Sequence, residues 1–187
     1  MIEQEFPGNH KMADLVFAEF AVKLKENIPW LYIALGAVKV IEEKGKGKPI
    51  LHRGKNDYVS VLPDENRLGN YCFFDVDKNY EFVSWHKGRA PLVKVKFGLI
   101  FWFDMSSFMT PNVYSIDSVV AFLSKVLWND INLTLSQFQI DNVTSDALFI
   151  FKKYHPPLKE KNIFLFPYGA IRFDGVLTFS EAINEDD

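Results

Sequence analysis

The 187-residue chain has one cysteine, Cys72, so no intramolecular disulfide can form and no multi-cysteine zinc site can be built. Long hydrophobic runs are missing too. Apolar stretches such as 97–103 fall well short of the roughly 20 residues that cross a bilayer as a helix. The opening MIEQEFPGNHKM lacks the basic-then-apolar pattern of a signal peptide, so a reducing cytoplasm, or a particle assembled there, is the expected location. The sequons at Asn132 and Asn142 then read as chance matches. Neither sign of charge dominates: 21 basic and 24 acidic residues leave a net charge of -3, with no general pull towards nucleic acid or anionic membrane. No Gly-x-Ser-x-Gly elbow occurs. His10, His52, His86 and His155 are scattered through expected turns, loops or a terminus, without metal-ligand spacing. Cys72, between Tyr71 and Phe73, reads as a buried, inert thiol. No catalytic, cofactor-binding or metal-binding residue is expected, and the chain reads as a non-enzyme with no cofactor.

Apolar residues are abundant. With 48% hydrophobic residues, 18 Phe and 4 Trp, the chain can build an aromatic-rich core, and its length suits one domain over 1–187. MADLVFAEFAVKLK places Met12, Leu15, Val16, Phe20 and Leu24 near helical spacing, and Ile28-Pro29 ends that helix. Residues 30–41 read as a strand; 42–57 as a mobile basic loop with a short strand at 49–52; 58–62 as another strand. Residues 71–85 read as a hairpin turning through Asp77-Lys78-Asn79. Ser115 caps a helix over SIDSVVAFLSKVLW, with Asp117 near its positive end. Its buried stripe is Ile116, Val119, Val120, Leu123, Val126 and Leu127. INLTLSQFQI (131–140) alternates and then drifts, as an edge or bulged strand does. Thr144 or Ser145 caps a short helix over DALFIFKKY. A β-run over 162–180 breaks near Pro167 and resumes through 170–179, before a short acidic tail. The pattern predicts an α+β fold: a mostly antiparallel twisted sheet packed on two to three helices.

VKVKFGLIFWFDM (93–105) raises a question of cover. Val93, Val95, Phe97, Leu99, Phe101 and Phe103 alternate on one face, while Lys94, Lys96, Gly98, Ile100, Trp102 and Asp104 form the other. One face must pack on a core. The other is charged at its ends and apolar at Ile100 and Trp102, so either the 115–128 helix or a neighbouring subunit covers its middle.

Other motifs give way to plainer readings. Asp75-Val-Asp77-Lys-Asn79 has the start of a calcium loop, but Tyr80 and His86 stand where glycine and glutamate are needed, so a polar hairpin turn is expected. GKGK at 45–48 is followed by Pro49 instead of a hydroxyl residue, so it lacks a phosphate loop's magnesium ligand. Lys44, Lys46, Lys48, Arg53 and Lys55 concentrate positive charge that could touch phosphates or a partner; a solvated loop is the plainer reading.

The order of elements, with LIFWFDM before helix 115–128 and the closing FPYGAIRFDGVLTF, resembles small bacteriophage tail-completion or tail-terminator proteins, including prophage-encoded ones. The resemblance spans most of the chain and rests on no invariant chemistry; the 42–57 and 71–85 segments are larger than a minimal terminator needs. It implies a structural protein of a virion or of a bacterial host's cytoplasm. Such a protein self-associates, a ring being one form, and meets other tail proteins, with nucleic acid and membrane not expected as partners. Ile100, Trp102, Phe103, Tyr168 and Arg172 would then be interface residues. The alternative is a monomeric small-molecule-binding module in which Trp102, with Phe101 or Phe103, lines an aromatic pocket.

Overall fold

The alternating stretch becomes the central strand. In the computed structural model, which describes residues 11–43, 46–54, 57–63, 69–84, 91–134, 136–151, 154 and 165–180, β5 runs over Leu92–Asp104. It is preceded by α1 (Lys11–Asn27), β1 (Ile33–Glu43), β2 (Lys46–Gly54), β3 (Asp57–Ser60) and β4 (Tyr71–Ser84). It is followed by α2 (Ile116–Asn129), β6 (Ser136–Thr144), α3 (Ala147–Phe151) and β7 (Tyr168–Ser180). The strands form one sheet in the order β3-β2-β1-β4-β5-β7-β6. Every pairing is antiparallel except β1 with β4. The fold is α+β, as the sequence predicts.

Each face of the sheet carries its own core. The odd-numbered face of β5 packs on α1 and α2, with Phe17, Phe20 and Leu24 from α1 and Val119, Leu123, Val126 and Leu127 from α2. Phe20 contacts Phe74 at 5.0 Å and Phe138 at 4.7 Å, so α1 lies across several strands. Its buried stripe is Ala13, Val16, Phe17, Phe20, Ala21 and Leu24; Leu15, expected inside, faces solvent. α2 keeps its predicted cap, with the Ser115 hydroxyl accepting from the Ser118 N–H at 3.3 Å.

The even-numbered face has a smaller roof made of Leu51 from β2, Val61, Ile150 and Phe151 from α3, and Tyr154, all closing over Tyr71, Phe73, Ile100 and Trp102. Tyr71 donates its hydroxyl to the Val61 carbonyl at 2.9 Å. The cover over Ile100 and Trp102 is therefore internal, and it is not the 115–128 helix, which sits on the opposite face.

Three expectations need correction. The region at 42–57, expected as a mobile loop with a short strand at 49–52, is largely a hairpin: that strand is present but extends over Lys46–Gly54, and β1 continues to Glu43 to pair with it. Residues 71–84 form one strand, not two: the Asp77–Asn79 segment is a bulge in the ladder between β4 and β5, which is long enough to pair with both halves. Asp146 caps α3 in place of Thr144 or Ser145, its carboxylate accepting from the Phe149 N–H at 3.1 Å. The strand after 131 starts late, at Ser136, but is an edge strand with a register shift between Ile140 and Asn142, as its drifting pattern implies.

Candidate functional site: a charged sheet face and an apolar rim

On the even-numbered face, β4, β5 and β7 place Asp75, Gly98 and Asp174 directly opposite one another. Cross-strand partners share a face, so two carboxylates flank a residue without a side chain. Arg172, two residues before Asp174, lies on the same face and fills the gap. Its Nε donates to Asp174 at 2.6 Å and its Nη1 to Asp75 at 2.8 Å. Gly98 is required here: a Cβ at that position would stand 2.3 Å from the guanidinium carbon. Asp75 is buried, and Arg172 is largely covered. Burial alone would lower the pKa of Arg172, but Asp75 and then Asp174 outweigh it and hold the guanidinium above its ordinary range. Burial likewise raises the Tyr154 phenol, and the adjacent Asp75 charge raises it further against a partial offset from Arg172. The guanidinium bonds both carboxylates. These bonds tie β7 to β4 across β5, with Tyr154 of the roof beside them.

Beyond this cluster the face opens. A depression of about 670 Å³ is lined by Asp75, Asp77, Lys78, Lys96, Asp141 and Arg172, among others. A second, about 660 Å³, continues over Glu81, Lys94, Gln137, Gln139 and Thr178. Groups of both signs line each depression. Among the described residues no group of three or more His, Cys, Asp or Glu is arranged to hold a metal ion.

The opposite end of the sheet, where β1 and β4 begin and β5 ends, is apolar. Buried Asn70 organises it. Its Nδ2 donates to the Trp30 carbonyl at 3.1 Å and to Ser107 Oγ at 2.7 Å, and its Oδ1 accepts from the Asp104 N–H at 2.8 Å. Trp30 stacks on Phe108 at 4.5 Å and lies 6.4 Å from Phe122. Tyr114 meets Phe166 at 5.1 Å. Around these contacts Tyr32 and Phe166 are each 68% exposed, Leu165 60% and Val113 59%.

The residues singled out from sequence fare unequally. Ile100, Trp102 and Phe103 are corrected: at 0%, 2% and 0% exposure they are interior and offer a neighbour nothing. Tyr168 is half-buried, stacked on Trp102 at 5.3 Å, and Arg172 belongs to the ion cluster, so the five do not form one surface. Lys48 is half-buried in β2. Lys44 and Lys55 lie outside the described residues, as do the side chains of Lys46 and Arg53. His10, His86 and His155, and the side chain of His52, lie outside them as well. Cys72 is buried, and burial raises its thiol well above the ordinary range against a small offset from the Leu35 backbone. The sequence reading missed the Asp75–Gly98–Asp174 row. An isolated glycine in a long strand was the available signal, since it marks a close approach. No protein-family model and no curated protein matches the chain.

Proposed function

We propose that this chain is a non-enzymatic assembly protein acting through contacts with copies of itself, of the tail-completion or tail-terminator kind that its order of elements resembles. One observation carries the reading: Tyr32, Val113, Leu165 and Phe166 are all exposed at the end of the sheet where β1 begins and β5 ends. Large apolar side chains left exposed together at one end of a fold are the kind of surface that marks an interaction site. The contact surface is thus moved from the strand face at Ile100 and Trp102 to the rim. Phe101, Trp102 and Phe103, which a ligand-binding module needed at a pocket wall, are interior.

The test is sedimentation across a concentration series. Wild-type protein should form a defined oligomer, and Phe166→Asp with Tyr32→Asp should release monomer. Each lost aromatic contact is worth about 2 kcal/mol, or roughly thirty-fold in dissociation constant. A wild-type chain that stays monomeric at every attainable concentration overturns the reading.

A further inference from the structure

The rim is one candidate contact; the sheet edge is a separate one. β6 ends the strand order, and among the described residues nothing pairs with the side of it that faces away from β7. Its side chains already have places. Phe138 and Ile140 pack towards the α1 core, while Gln137 and Gln139 line the charged depression. What is left over is backbone, because alternate residues of an antiparallel strand direct N–H and C=O away from the strand they pair with.

Edge strands are ordinarily guarded by lysine or other charges, proline, bulges or shortness. SQFQIDNVT has no lysine, arginine or proline and is nine residues long. Its guards, the single charge Asp141 and the register shift, both fall between Ile140 and Asn142 and leave Ser136–Ile140 in unbroken register. The other edge strand, β3, has four residues and is protected by shortness. Gly175 keeps β6 close to the sheet at the shift, since a Cβ there would stand 2.2 Å from the Gln139 carbonyl oxygen.

We infer that β6 is a self-pairing edge: the β6 strands of two copies lie antiparallel across a two-fold axis and continue the sheet from one molecule into the next. A second copy is the fitting occupant because β6 itself supplies the long, proline-free, nearly neutral strand that such an edge requires. Pairing of β6 with β3 of another copy would be heterologous and reach at most four residues, whereas the two-fold arrangement pairs like with like and closes. The inference rests on the self-association reading and names a contact for it.

The test uses the full chain. Gln137→Lys with Gln139→Lys places like charges across the two-fold axis and should raise the dissociation constant by roughly tenfold or more, whereas the neutral Gln137→Ala with Gln139→Ala should not. Hydrogen exchange of 136–144 in the wild type should slow as concentration rises. If the lysine variant associates as the wild type does and exchange in 136–144 ignores concentration, the edge contact is wrong. Loss of association in the Phe166→Asp, Tyr32→Asp variant alone would then leave assembly through the rim standing. A wild type that is monomeric throughout removes both.

Discussion

Arg172 can lie flat between two carboxylates only because position 98 has no side chain, so the cluster makes two linked predictions. Gly98→Ala should displace the guanidinium and cost about 1–3 kcal/mol in chemical denaturation. Asp75→Ala should cost about 2–3 kcal/mol, less than the roughly 3–5 kcal/mol of a fully buried pair, because Arg172 retains Asp174 and some solvent contact. Replacing both partners, Asp75→Leu with Arg172→Met, should recover most of that loss, since no charge is left stranded. A double variant as unstable as the sum of the singles would mean the pair is not coupled. The buried acids predict behaviour at high pH. Cys72 and Tyr154 both ionise less readily folded than unfolded, so their stabilising effect is complete below the unfolded values of 9.0 and 10.0 and is lost as pH rises beyond them. Stability should fall above about pH 9, by up to about 1.4 kcal/mol per pH unit per group. Cys72→Ala should remove the earlier onset, and native protein should resist thiol reagents until it unfolds.

At the scale of elements, what the sequence revealed depended on whether the signal was local. α1, α2, β5 and the closing strand each carry their own periodicity, and each is found within a few residues of its predicted place. β4 was misread because Asp77-Lys78-Asn79 is turn-like in composition, and the same residues serve a bulge when a long partner strand lies alongside. The composition cannot say which. β2 is longer than the strand expected at 49–52 for a similar reason: glycine and lysine weaken its pattern at the ends, and its full length comes from pairing with β1 and β3. The ion cluster was the least legible part. Asp75 and Arg172 are 97 residues apart, and only the register of three strands makes them neighbours. Arg172-x-Asp174 and the lone Gly98 were visible as fragments, but nothing local tied either to Asp75.

For the molecule as a whole, both faces of the sheet's centre are closed by the chain itself, which leaves an apolar end, a charged face and the β6 edge as surfaces for other work. That division separates the stability of one copy from any association. The cores around Phe74 and Phe73 do not involve Phe166 or Tyr32 beyond rim contacts, so a variant at the rim should fold normally. Thermal unfolding then offers a check independent of sedimentation. If copies associate through the folded state, the midpoint of the wild type must rise with protein concentration, because anything that binds only the folded form stabilises it by mass action. The Phe166→Asp, Tyr32→Asp variant should keep the dilute-limit midpoint of the wild type and lose most of that rise. A midpoint that is lower at every concentration, with the same slope, would instead place those two side chains in the fold of the single copy.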